Sequence, residues 1–232
     1  ETLGVTVVYV THDQSEARTM SDRVAVFDKG EIQQIDTAKA LYEAPVNSFV
    51  AGFIGESNAL SGKVDSVADG FCRASLPGGG SVSARAVCVE RAGQPTTLSI
   101  RPERVMLGAR SADCANRFDA TIAEFIYLGD HVRVRLEVCG KGDFFVKQPI
   151  AELDPALAVG DVVPLGWEVE HARALDPIAK PIDGLLHQPC TVERIIMRKQ
   201  LKLTALALGL FAAGQAMAAD LTVISFGGAN KA

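Results

Sequence analysis

The seven residues Val132-Arg133-Val134-Arg135-Leu136-Glu137-Val138 alternate strictly between apolar and charged side chains. A period of two puts every second side chain on the same face. The run therefore reads as a half-buried antiparallel strand with its apolar face inward. Cys139-Gly140-Lys141-Gly142-Asp143 supplies a turn, and Phe144-Phe145-Val146-Lys147 returns from it. Thr96 to Ile100 alternates in the same way, with Leu98 and Ile100 apolar, and Pro77-Gly78-Gly79-Gly80 reads as a mobile turn. Short strands separated by glycine turns predict an all-β small barrel or sandwich over residues 57–178.

Residues 1–56 follow another pattern. Val5 to Val10 is a continuous apolar, β-branched run, suited to a strand buried on both faces of a parallel sheet. A short helix over Gln14 to Met20 follows, which Thr11 or Asp13 could cap. Arg23 to Phe27 and Glu31 to Asp36 form a hairpin about Asp28-Lys29-Gly30. Thr37 caps a helix that ends before Pro45. Asn47 caps another, whose apolar side carries Phe49, Val50, Phe53 and Ile54. A lone buried strand cannot satisfy its edges, so residues 1–56 are expected to be the end of a larger α/β domain whose front is missing.

Composition narrows the function classes. Of 232 residues, 48% are apolar and 22% charged, which suits a globular chain and excludes wholesale disorder. The net charge of −5 and 6% aromatic content give no electrostatic or stacking case for nucleic acid. Five cysteines, at 72, 88, 114, 139 and 190, form no CxxC pair. They read as small buried thiols in a reducing compartment rather than zinc ligands or a disulfide framework.

The C-terminal part changes again. Residues 179–196 have no clear period and read as a linker. From Met197 the chain carries Arg198, Lys199 and Lys202, an apolar run of 11 residues from Leu203 to Ala213, and Ala216-Met217-Ala218. Basic start, short apolar core and small-x-small end describe a secretory signal, so residues 197–218 are expected to be a signal-like helix. The run is short for a membrane span, which needs about 20 residues. If Val192-Glu193-Arg194 is encoded GTG-GAG-AGG, a purine-rich ribosome-binding sequence would stand just before the Met197 codon.

One local motif carries candidate chemistry. Thr11-His12-Asp13-Gln14-Ser15-Glu16-Ala17 directly follows the apolar strand. A histidine at a strand end is commonly structural. Open α/β sheets, however, bind ligands beyond the carboxyl ends of their strands, where an imidazole can donate to a phosphate oxygen or to attacking water.

Residues 3–56, from this motif through Asp28-Lys29-Gly30-Glu31, Tyr42 and Pro45, closely resemble the C-terminal end of ATP-binding subunits of ABC importers of the maltose/polyamine/iron type. That resemblance implies a P-loop nucleotide-binding domain and makes His12 its switch-loop histidine, in contact with the ATP γ-phosphate. Residues 57–178 resemble the transport-associated OB domain of the same subunits. The strings that carry this are Ser99-Ile100-Arg101-Pro102-Glu103, Tyr127-Leu128-Gly129-Asp130 and Val159-Gly160-Asp161-Val162. Arg101 and Glu103 read as a structural ion pair near a turn, in preference to ligand binding. Residues 219–232, with Asp220 to Gly228, resemble the first strand of a periplasmic polyamine-type binding protein. The simplest account of that join is a reading frame running from one importer gene into the next.

The departures from the family pattern matter as much. No G-x-x-x-x-G-K-[ST] string occurs: Gly62-Lys63 is followed by Val64 and Gly140-Lys141 by Gly142. The LSGGQ signature is absent, and Leu60-Ser61-Gly62-Lys63 resembles it only weakly. Val7 to Val10 is not followed by the Asp-Glu pair that would hold magnesium and activate water. ATP and magnesium thus belong to the intact family member, and this chain alone is expected to bind no nucleotide tightly and hydrolyse none. The resemblance implies as partners a second ATP-binding subunit, permease subunits and a periplasmic solute-binding protein. It places residues 1–178 at the cytoplasmic face of the inner membrane. The alternatives are a non-enzymatic OB-like ligand-binding or regulatory module, or a fusion product with no function as one chain.

Overall fold

The computed structural model describes residues 7–178 and, by backbone alone, the strand 222–226. The expected linker at 179–196 and signal-like helix at 197–218 lie outside the described residues, as does Cys190. The described residues fall into two compact units, one with residues 7–45 and the strand 222–226, the other Val46–Ile178.

The first unit is a four-stranded sheet. Its strands are β1 (Val8–Thr11), β2 (Arg23–Asp28), β3 (Glu31–Asp36) and β14 (Thr222–Phe226), in the order β1-β14-β2-β3. β14 is parallel to both β1 and β2, and β3 is antiparallel to β2. Helix α1 (Gln14–Met20) connects β1 to β2, and α2 (Ala38–Glu43) follows β3. The β2–β3 turn has Lys29 at φ 49° and Gly30 at φ 85°. Two positive φ angles make the primed turn whose twist matches a hairpin. Val24, Ala25 and Val26 are buried. β1 departs from the expectation of burial on both faces: Val8, Tyr9 and Val10 are 58, 41 and 54% exposed. The strand stands at the sheet edge, and apolar composition alone cannot supply a covering layer.

The second unit opens with α3 (Ser48–Phe53), so by its contacts this helix belongs with the β strands that follow. Strands β4 (Asn58–Ala68), β5 (Phe71–Ser75), β6 (Ser81–Ala86), β7 (Pro95–Ile100) and β13 (Ala172–Leu175) close into a barrel ordered β13-β6-β5-β4-β7. A second sheet holds β8 (Met106–Leu107), β9 (Asn116–Tyr127), β10 (His131–Val138), β11 (Lys141–Pro149) and β12 (Val162–Trp167), ordered β11-β10-β9-β12-β8. The expected barrel is therefore half of the unit. One continuous core serves both halves, from Leu60, Val82 and Leu98 to Val134, Phe144 and Trp167.

Local sequence explains most of these elements. Val132, Val134, Leu136 and Val138 are all fully buried on β10, as their alternation requires. The β10–β11 turn is tighter than five residues: Cys139 (φ 50°) and Gly140 (φ 76°) suffice, and β11 starts at Lys141. On β7, Thr96, Thr97 and Ser99 are buried as well as Leu98 and Ile100. Their hydroxyls are all engaged: Thr96 donates to the Leu175 carbonyl (2.7 Å), Thr97 accepts from Ile178 N (2.9 Å) and Ser99 meets the Ser57 hydroxyl (2.7 Å). The Pro77–Gly80 turn is closely packed rather than free. A Cβ added at Gly78 would lie 2.1 Å from the Cys139 carbonyl oxygen, and one at Gly80 2.8 Å from the Phe118 ring.

Candidate functional site

The turn that carries His12 is fixed on both sides. Asp13 caps α1, its carboxylate accepting from Ser15 N (2.7 Å) and Glu16 N (3.2 Å). The Thr11 hydroxyl accepts from Asp13 N (3.0 Å) and donates to the Glu16 carboxylate (2.9 Å), to which the Tyr9 hydroxyl also donates (3.3 Å). His12 itself is exposed at the carboxyl end of β1, the edge where open sheets present ligand-binding groups. An open groove between α1 and α2 is lined by Arg18, Lys39 and Tyr42 among others, with the Arg18 guanidinium 5.8 Å from the Tyr42 ring centre. His12 does not line it.

A triphosphate with magnesium, which the resemblance implies, would meet the exposed His12 here and no phosphate cradle among the described residues. The fixed groups of this turn include two carboxylates, Asp13 and Glu16, already committed to the cap and to hydroxyls. With no P-loop lysine or glycine nest in the sequence, these residues do not fit the group by themselves.

In the β unit the polar side chains hold the architecture. Arg101, 6% exposed, donates through Nη1 to the carbonyls of Ala51 (3.0 Å) and Glu56 (2.8 Å). It thereby joins the Pro102–Arg104 turn to the end of α3. The sequence predicts a structural ion pair between Arg101 and Glu103; the bonds Arg101 makes here through Nη1 are to backbone carbonyls. Glu56 also receives Arg133, whose guanidinium lies over the Phe145 ring at 4.1 Å. Ser48 donates from both its N (2.6 Å) and its hydroxyl (2.9 Å) to Asp176, closing the unit's two ends on each other.

Two buried asparagines went unnoticed in the sequence. Asn58 donates to the Phe145 carbonyl and accepts from Phe145 N, both at 2.7 Å. Asn116 accepts from Ser83 N (2.7 Å) and donates to the Ser83 carbonyl (3.0 Å). Each side chain imitates a strand neighbour, pairing both backbone groups of one residue, and each joins the barrel to the second sheet. The available signal was a polar residue at the inward position beginning a strand, as in Asn58-Ala59-Leu60.

Burial pushes the Cys72, Cys139 and Cys114 thiols up from their ordinary range, and the Glu168 carboxylate adds to the effect at Cys114. Such thiols stay protonated at neutral pH and are poor nucleophiles. The hydrogen bond from His131 holds the Asp130 carboxyl below its usual range. Arg173 is lowered by burial and by Arg85, its register partner across β13 and β6. Among the described residues no three His, Cys, Asp or Glu side chains converge as a metal site, and no helix is long and apolar enough to cross a membrane.

Residues 98–175 match the TOBE domain family. The spermidine/putrescine import ATP-binding protein PotA of Thermobifida fusca (strain YX) is 39% identical over 175 residues, covering 75% of this chain and 45% of the relative. The same-named protein of Pseudomonas fluorescens (strain Pf-5) is 38% identical over 173 residues, covering 74% of this chain and 46% of the relative. The chain thus spans about half the length of the curated relatives it matches. Among solved structures, the cytoplasmic molybdate-binding protein ModG in a molybdate-bound form aligns with TM-score 0.46 and 17% identity, over 52% of this chain and 96% of that one.

Proposed function

We propose that this chain carries part of an ATP-binding subunit of an ABC importer for polyamine-type solutes, with the β unit as its TOBE domain. One observation carries the reading. Identity of 39% extends over 175 residues, whereas the TOBE match is confined to residues 98–175. The likeness to a spermidine/putrescine import ATP-binding protein therefore reaches well beyond the TOBE segment.

In this reading the α/β residues up to 56 are the end of a P-loop nucleotide-binding domain, and His12 is its switch-loop histidine. The rigid capped turn holds an exposed imidazole at a strand end, where it can donate to the γ-phosphate or orient water. ATP supplies the phosphoanhydride whose hydrolysis drives import, and its phosphates and magnesium are held by groups this sequence lacks. The chain alone therefore hydrolyses no ATP. A second such subunit, a permease pair and a periplasmic solute-binding protein are its partners at the cytoplasmic face of the inner membrane. Residues 197–218 keep their reading as a secretory signal on sequence grounds.

The test is a chimera. The part of the Thermobifida fusca relative that this chain does not cover is placed before residue 1 of the full chain. The chimera is expected to hydrolyse ATP, and His12→Ala to lower kcat by about 10²–10³, the range for losing one transition-state donor. Equal rates with and without His12 would remove the assigned role.

A further inference from the structure

Leu165 and Trp167 are fully buried in the core, so Gly166 between them faces the other side of the second sheet. Met106 on β8 is its register partner. Cys114, in the loop that leads into β9, lies directly over it. A Cβ at Gly166 would stand 2.7 Å from the Cys114 Cβ and 3.3 Å from its sulfur. The bare position therefore lets Cys114 settle against the sheet beside Met106. The Cys114 thiol donates to the Met106 thioether, with the two sulfurs 3.8 Å apart. Glu168, two residues past Gly166, brings a carboxylate to the same thiol. Three separate stretches of chain thus converge a thiol, a thioether and a carboxylate outside the continuous core.

We propose that Met106, Cys114 and Glu168 form a binding site for one Cu(I) ion on the face of the second sheet that points away from the core. Thiolate and thioether together are soft donors and select Cu(I), whereas Zn(II) takes thiolate, imidazole and carboxylate. The spacing suits an ion between the sulfurs: two metal–sulfur bonds of about 2.3 Å spanning 3.8 Å meet at about 110°. That angle leaves room for a carboxylate oxygen as third ligand. Charge points the same way. Asp113 and Glu168 place negative charge near the sulfur and Arg117 positive charge. A monovalent ion that replaces the thiol proton leaves this balance unchanged, and the proton passes to solvent. Cys114 is 6% exposed, but Met106 and Glu168 are half-buried, so the ion has a way in. The inference does not depend on the transport reading.

Methyl NMR on the full chain, carbon-13 labelled at its methionine methyls and kept reduced, tests it, with Ag(I) as a redox-stable probe. The four methionines are Met20, Met106, Met197 and Met217. One equivalent of Ag(I) should shift the Met106 methyl. This arm uses the unmodified chain, so it depends on no variant folding. Cu(I) affinity is then read by competition with bathocuproine disulfonate in a Cys190→Ser background. Met106→Leu should weaken binding by roughly tenfold or more, the least that loss of a supporting group costs. Cys114→Ser should abolish it, and Gly142→Ala should leave it unchanged. The proposal is overturned if the Met106 methyl stays in place at one equivalent of Ag(I). It is also overturned if Met106→Leu binds Cu(I) as tightly as its parent, or if an equal concentration of Zn(II) displaces Ag(I).

Discussion

Replacing Asn116 by alanine removes a side chain that is 2% exposed and pairs both backbone groups of Ser83, at 2.7 and 3.0 Å. Two backbone groups would lose their partners in the space between the barrel and the second sheet. A buried polar group left unsatisfied costs about 1–3 kcal/mol, so the two together predict about 2–6 kcal/mol. For a unit of this size, about 3 kcal/mol lowers Tm by roughly 10 °C. Trp167 is the sole tryptophan, is fully buried, and stacks on Phe118 (5.4 Å) and Phe144 (5.8 Å). Its fluorescence during urea or thermal unfolding therefore reports the β unit. Asn116→Asp sharpens the test. The new carboxylate still accepts from Ser83 N, but its second oxygen faces the Ser83 carbonyl and can donate only when protonated. Its folded pKa must then lie above the ordinary value of about 3.9. A raised folded pKa means stability is fullest below the unfolded pKa and is lost as pH rises through the folded one. Loss of less than about 0.5 kcal/mol for Asn116→Ala, outside the range for an orphaned pair, would refute the reasoning. So would an Asn116→Asp deficit that is the same in acid as at neutral pH.

Other consequences follow from the same geometry. Arg101→Lys keeps the charge but replaces the planar, pre-organised Nη1 that bonds both the Ala51 and Glu56 carbonyls with a flexible ammonium; it should cost about 1–3 kcal/mol in urea unfolding. Gly78→Ala drives a methyl into the Cys139 carbonyl and should cost about 1–3 kcal/mol. Gly142→Ala, with open space around it, should be near neutral as its control. In an NMR titration Asp130 should have its midpoint below the usual carboxylate range, and His131→Ala should return it. Since the folded pKa is depressed, that contribution is present above the unfolded pKa and is lost as pH falls through the folded one.

Local chemistry made much of the fold legible. The alternation at Val132–Val138 set strand and face together. The turns at Lys29-Gly30 and Cys139-Gly140 sit where glycine allowed a positive φ. Thr37 and Asn47 cap their helices at 3.2 and 2.8 Å, as their position before apolar runs requires. The misses are all non-local. Asn58 and Asn116 find partners 87 and 33 residues away, and no pattern in their own segments names those partners. The glycine turn at Gly78 looked free because the Cys139 carbonyl that confines it comes from another hairpin. β1 looked buried because its residues are apolar, whereas burial depends on what lies above and below. Residues 222–226 read as a strand, but their place between β1 and β2 is set by a ladder that sequence alone does not show. At the candidate site, the strand-end position of His12 was visible, but the two carboxylates braced beside it required the folded turn.

The most direct test of the transport reading is polyamine uptake. The chimera described above would replace the ATP-binding subunit in cells lacking their own, with radiolabelled putrescine and spermidine as tracers. The account predicts uptake that depends on His12 and falls to background in the His12→Ala chimera. Active ATP hydrolysis by the assembled chimera with no polyamine uptake would contradict it.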